Sequence, residues 1–424
     1  MIRLIKKYIN KSEFTKNALT LVTGTTIAQI LPIAISPILT RIYSPEDFGV
    51  LAVFMSIVII FGTIANGRYE LAIILPKEKS DAINIFILGL IISTTFSIFL
   101  FIITIIFHNK ILLLIGNEAL SFWIYIIPFV VFMFGLFNML NFYNTRIKKY
   151  KSIAQAKVLK SIGMVAIQLG LFFTKNGVIA LLTGYSMSNI FGNIKLLTNI
   201  TKDKELLKKI NKNDIKHLAK RYIRFPKLTL PATLANKLSS DLINILISTV
   251  FSVSTLGFYS LANRILAVPS SFIGASVSQV FLQEATDEKK KTGVAIKTFK
   301  NVVIKLTAIA LPFFTLIFFI SEWLFAFVFG EEWRIAGSYA KIITPLLLIR
   351  FVVAPVSVSL SIFEKQHISL LWQIGLFILA LGSLAFSFYS DLAFYHFLYI
   401  FVFILFIYYF FFLIILYWVV RGKF

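Results

Sequence analysis

The chain has 424 residues, of which 58% are hydrophobic and only 14% charged. A soluble domain is nearer half apolar and a quarter charged, and needs polar side chains to cover its surface, so a soluble globular fold is excluded. The formal charge of +23 could serve nucleic acid, but Lys and Arg concentrate in the connections between apolar blocks, the positive-inside pattern of a membrane protein.

Those blocks run about twenty residues, the length that crosses a bilayer core of about 30 Å. They predict an all-α integral membrane protein with helices near 18–40, 48–66, 82–107, 119–143, 153–174, 177–199, 226–250, 257–282, 299–320, 335–361, 368–390 and 392–419. Residues 1–17 are basic and mixed, and no A-x-A cleavage pattern closes the apolar run after them, so the first span reads as retained. Alternation starting inside places Arg3, Lys6, Lys7, Lys11 and Lys16 in the cytoplasm, with Arg146, Lys148, Lys149 and Lys151 after span four. Lys289, Lys290 and Lys291 after span eight, and Arg421 and Lys423 after span twelve, fall on the same side. The outer segments hold little beyond Arg41, Lys110, Lys175 and Arg334. This asymmetry predicts that both termini are cytoplasmic.

The most basic connection, 201–227, divides the chain into an N-lobe (1–200, spans one to six) and a C-lobe (228–424, spans seven to twelve). Within it Leu206, Leu207, Ile210, Ile215 and Leu218 recur at near-helical spacing among lysines. Two readings stand level: an amphipathic helix on the anionic inner leaflet, each cation adding on the order of 1 kcal/mol, or a solvated linker. A shift of 208 residues sets 38–57 against 246–265, pairing Tyr43 with Phe251, Ser44 with Ser252, Gly49 with Gly257 and Ile57 with Ile265. Six spans per half would make such a repeat parallel, an arrangement of transporters that carry substrate between repeats.

Charges deep in spans cost roughly 2.5–3.5 kcal/mol each on insertion scales, so they mark function by default. Here they are Lys237 and Asp241 in span seven, Arg264 in span eight and Arg350 in span ten: three bases and one acid. Lys237 precedes Asp241 by one helical turn, which puts the two on one face. That face continues as Thr229, Thr233, Asn236, Ser240, Asn244 and Ser248, a polar stripe on an otherwise apolar helix. An internal ion pair with interhelical hydrogen bonds would account for it; a cavity with a net positive lining for an anionic substrate fits the excess of bases better. Lys305 and Lys341 lie nearer span ends and read as snorkelling.

In SPEDFG (44–49), Ser44 caps a helix that opens with Pro45, and Glu46 and Asp47 suit its positive end. In GRYELAIILP (67–76), Arg68 and Glu70 read as an ion pair at the inner end of span two, or as parts of a gate together with Arg41. Trp323 and Trp333 around FGEEW (329–333) read as aromatic-belt anchors. The four histidines make no metal-spaced pair, and there is no cysteine, Walker A run, GxSxG or acidic cluster, so no enzyme signature is found and no metal or cofactor is expected.

The stretch from Asn17 to about Ala82, with ILTRIYSPEDFG then GRYELAIILP, resembles the start of bacterial oligosaccharide-lipid flippases, and FGEEW before Ala336-Gly337 resembles their second-half signature. These are the O-antigen and capsule repeat-unit translocases of the multidrug/oligosaccharidyl-lipid/polysaccharide exporter superfamily. The resemblance implies two six-helix lobes with spans one, two, seven and eight around a central cationic cavity. It also implies that an undecaprenyl-diphosphate-linked oligosaccharide is moved across the bacterial inner membrane, beside a polysaccharide polymerase and chain-length regulator. Arg264, Lys237 and Arg350 would attract the diphosphate, and Asp241 would temper that field or take a coupling proton or Na+. Spans one and two depart from the pattern in having Arg only at their ends, Arg41 and Arg68. The rivals are a drug or cation exporter, which would want an acidic cavity, and a membrane polymerase or glycosyltransferase, which would want a large catalytic outer loop.

Overall fold

The computed structural model describes residues 13–172, 177–201 and 204–423, and among them all regular structure is helical. Arg3, Lys6, Lys7, Lys11, Lys175 and Lys202 lie outside the described residues. Two compact units emerge, Met1–Lys237 and Leu238–Phe424. The division falls inside the expected seventh span, between Lys237 and Leu238, whereas the sequence reading opened the C-lobe at 228.

Unit 1 contains α1 (Glu13–Ile42), α2 (Pro45–Ile64), α3 (Lys79–Ile115), α4 (Ser121–Arg146), α5 (Tyr150–Gly170), α6 (Gly177–Thr201), α7 (Lys212–Arg221) and α8 (Leu230–Lys237). Pro37 cannot donate to the Ile33 carbonyl inside α1; the Ser36 hydroxyl donates to it instead at 2.5 Å, the kind of repair an apolar surround requires. Ser44 and Asp47 form a reciprocal capping box, with Pro45 in the first turn of α2, as the sequence predicts.

Glycines set the close crossings. A Cβ on Gly24 would lie 2.3 Å from Ala154 Cβ, and one on Gly89 would strike Met139. Asn66 at the end of α2 donates to the Gly135 carbonyl of α4 at 2.9 Å, and Asn193 of α6 donates to the Met133 carbonyl at 3.0 Å. The contacts Gly24–Ala154, Thr25–Lys157 and Ala28–Ser161 advance together along α1 and α5, so these two helices run the same way. Gly89–Met139 and Ser93–Gly135 run in opposite order, so α3 and α4 are antiparallel. This is the alternation expected of successive membrane crossings.

Among the described residues of the basic connection, one face packs on protein while most of the lysines stay exposed. Leu218 of α7 is buried with Tyr69, Phe86 and Tyr143, and Leu207, Ile215 and Ala219 pack around that cluster. Asn84 of α3 donates to the Lys209 carbonyl at 3.2 Å and accepts from the Asn211 N–H at 2.9 Å, while the Tyr69 hydroxyl donates to the Ala219 carbonyl at 2.9 Å. Leu207, Ile215 and Leu218 of the apolar face recognised in the sequence thus pack on protein, while Ile210 stays exposed.

Unit 2 contains α9 (Ile243–Val250), α10 (Val253–Leu266), α11 (Val268–Thr292), α12 (Ile296–Phe329), α13 (Arg334–Val356), α14 (Gln366–Tyr389) and α15 (Phe394–Val420). Ser252 caps α10 by accepting from the Thr255 N–H at 3.0 Å, the same device as Ser44 at the position the 208-residue shift pairs with it. Tyr339 packs on Phe394, and Arg350 lies by Tyr409, so α13 and α15 run the same way; Trp372 stacks on Tyr408 and Phe412 across antiparallel α14 and α15. Trp333 is a correction: it is fully buried against Phe258, a core residue and not a belt anchor, whereas Trp323 is 59% exposed and stacked on Phe327.

Among the described residues nine helices are long and apolar enough to cross a bilayer. The polar-interrupted α5 and α6 and the broken 225–250 segment bring the total to about twelve. The protein is an all-α, multi-pass membrane protein.

Candidate functional site

Regular helices satisfy every backbone group, so irregular ones within a membrane stand out. Lys237 and Asp241 lie at such an irregularity. Residues Phe225–Thr229 and Leu238–Leu242 are π-helical turns flanking α8, and α10 passes directly into α11 through Ala267, whose backbone stays right-handed helical, with Pro269 in the first turn of α11. Inserted π turns recur at functional sites, and interrupted spans are a common setting for transporter binding sites.

Each candidate cation has its place. Lys237 closes α8 in unit 1, half-buried, while Asp241 lies in the π turn that opens unit 2, half-buried, with the Ser240 hydroxyl donating to it at 2.9 Å. Arg264, also half-buried, lies three residues before Ala267 on the continuous course of α10 into α11. Arg350 on α13 is exposed, its guanidinium 5.7 Å from the Tyr409 ring centroid.

The three candidate gate residues separate. Arg68 and Glu70 form an ion pair at 3.0 Å with side chains 18% and 2% exposed, far more buried than a headgroup pair. Gly67 and Arg68 both have left-handed backbones, φ 61° and 63°, and that tight turn folds the guanidinium back to the carboxylate. The strain of a non-glycine residue there is of order 1–3 kcal/mol. Burial pushes the Glu70 carboxyl above its ordinary range, against the opposing pull of Arg68. The following turn is held by Arg146, which donates to the carbonyls of Ile73, Pro76 and Glu78 at 3.1, 2.7 and 3.0 Å. Arg41, in the last turn of α1 just before α2 begins, is exposed and donates to the Pro37 carbonyl at 2.7 Å. The twenty residues of α2 span about 30 Å, so Arg41 cannot share a gate with the pair.

Sequence reasoning missed two cations in α5. Lys157 donates to the Thr25 hydroxyl at 3.0 Å, and the Lys160 ammonium lies 5.6 and 5.2 Å from the ring centroids of Phe134 and Phe137. Both sit well inside 153–174, so counting every Lys within a span, and not only those in the second half, would have found them.

A family model described as "Polysaccharide biosynthesis protein" matches residues 38–337. The chain belongs to that family. No curated protein sequence matches it. Among solved structures it is similar to the lipid II flippase MurJ in an inward closed conformation, with a TM-score of 0.71 at 16% identity over 94% of this chain and 87% of that one. It is similar also to an inward-facing multidrug resistance MATE family transporter of the MOP superfamily, with a TM-score of 0.63 at 13% identity over 95% and 94%. It resembles also a MOP superfamily transporter from Pyrococcus furiosus Vc1, described as having a binding pocket of reverse polarity, with a TM-score of 0.63 at 11% identity over 96% and 95%. At these identities the likeness shows the fold alone.

Proposed function

We propose that the protein is a flippase that turns an undecaprenyl-diphosphate-linked oligosaccharide repeat unit from the inner to the outer leaflet of a bacterial cytoplasmic membrane by alternating access. The product would feed a surface polysaccharide such as O-antigen or capsule, with a polymerase and chain-length regulator acting downstream. What carries the reading is the family match spanning 38–337. The charge inventory agrees with it: Lys237, Arg264 and Arg350 against the one acid Asp241 suit a diphosphate and oppose a cation-exporting cavity. In this scheme Arg264 and Lys237 receive the diphosphate, Arg350 extends the positive field, and Asp241 tempers it or exchanges a proton or Na+. A potential of 100 mV supplies about 2.3 kcal/mol per charge moved, enough for one coupled ion to bias the cycle. No enzymatic step is involved.

The test is surface polysaccharide in a strain lacking the gene, complemented with the wild-type chain or with Arg264→Ala. Loss of glycan on deletion, restored by the wild type alone, is expected. Normal surface glycan without the gene refutes the reading. Resistance to cationic drugs in place of glycan export would favour the exporter.

A further inference from the structure

We propose that unit 1 carries its own docking groove for the lipid-diphosphate end of the substrate, rimmed by Lys151 and Lys195. The assignment rests on the flippase reading above and adds to it a site in the half of the chain where sequence showed no deep Arg. A groove of about 710 Å³ opens between α1, α5 and α6. Lys151 stands in the first turn of α5 and Lys195 near the end of α6, and the antiparallel course of these helices brings both lysines to the same end of the groove. Positive-inside counting accounts for lysines at helix ends, but not for their convergence on one cavity.

Polarity falls along the groove. After the two lysines come the hydroxyls of Thr20 and Thr23, then the apolar Val158 and Leu159. From Lys151 to Leu159 is eight residues of helix, about 12 Å, the scale of a diphosphate followed by the first isoprenoid units. Two ammonium groups on separate helices suit two linked phosphates, each contact being charge-assisted. A phosphodiester headgroup with a single negative charge would neutralise only one of them.

The groove is built into the helix contacts. Gly24 touches Ala154 so closely that a Cβ would be 2.3 Å from its Cβ, and two hydrogen bonds, Lys157 to Thr25 and Ser161 to the Ala28 carbonyl, pin α1 to α5 deeper in. The helices are therefore fixed beside the groove and do not close over it.

The test uses the whole protein in nanodiscs, with undecaprenyl diphosphate and phosphatidylglycerol as separate probes. Lys151→Gln/Lys195→Gln should bind undecaprenyl diphosphate about tenfold more weakly or worse, tenfold being the loss of about 1.4 kcal/mol, while phosphatidylglycerol binding changes less than about twofold. Thr23→Leu, which fills the groove without altering charge, should weaken the same binding. Both variants replace exposed or half-exposed side chains, and gel filtration confirms that they fold. Wild-type binding in the double variant overturns the groove, as does equal loss of both lipids, which marks a generic anionic surface. Surface glycan in the deletion strain reads the flippase proposal separately: lost glycan with unchanged binding in the double variant sinks the groove alone.

Discussion

Replacing Arg68 by Met removes the counter-charge of Glu70 and leaves the carboxylate, 2% exposed, inside the unit 1 core. Breaking one partner of a buried pair costs about 3–5 kcal/mol. At roughly 2–4 °C per kcal/mol for a domain of this size, the melting temperature should fall by about 6–20 °C. The loss should depend on pH in a definite direction. A carboxyl with a raised folded value binds its proton more tightly in the native state than in the unfolded chain. Its contribution is therefore full below the unfolded value of 4.5 and is lost as pH rises through the raised folded value. Removing Arg68, which pulls that value down, raises it further, so Arg68→Met should be damaged more at pH 7.5 than at pH 5. Arg68→Met/Glu70→Gln should recover more than half of the loss, since no buried charge remains. The assay is tryptophan fluorescence on heating in detergent at the two pH values. An Arg68→Met protein that melts with the wild type at both would refute the buried pair and its assigned role in the fold.

Arg264→Ala should abolish glycan export while the protein still inserts and accumulates, read by surface polysaccharide and immunoblot; loss of the protein itself would make Arg264 a structural residue. Lys216→Cys, exposed on α7 in a chain without native cysteine, should resist a membrane-impermeant thiol reagent in intact cells, and ready labelling would reverse the proposed topology. Gly24→Val should cost about 1–3 kcal/mol by forcing α1 off Ala154, seen as a lower melting temperature. Lys237→Met/Asp241→Asn should insert normally yet fail to export if Asp241 carries a coupling ion; full rescue relative to the single variants would leave Asp241 only a neutralising partner.

Much of the fold was legible because the bilayer imposes it. A block of twenty apolar residues has few other fates, and the SPEDFG cap is a local device whose partners lie three residues apart. What escaped the sequence depends on long-range packing. Trp333 reads as an interfacial anchor until Phe258, seventy-five positions earlier in the chain, covers it. The apolar face of α7 reads equally as lipid-facing until α3 is seen to cover it. Arg146 reads as one more positive-inside residue, yet its guanidinium is used up by the carbonyls of a turn seventy residues away. The Arg68–Glu70 pair was visible from its spacing; its burial was not, because that depends on Tyr69, Ile73 and Phe86 closing around the turn.

The deep charges of unit 2 show how far local structure can offset their cost. Arg264 at a helix centre would cost about 2.5–3.5 kcal/mol. Beside it Pro269, in the first turn of α11, cannot donate to the Ile265 carbonyl, a local departure from a regular helix. Asp241 sits in a π turn beside a donating hydroxyl, again a departure from a regular helix. Polar neighbours or water must offset the cost of Arg264. Either one places a polar surround at mid-span, and an anionic headgroup crossing a bilayer needs such a surround wherever it pauses. In the proposed flippase, the π turn at Leu238–Leu242 and the proline-bearing junction after Arg264 would be the places where such a surround meets the diphosphate.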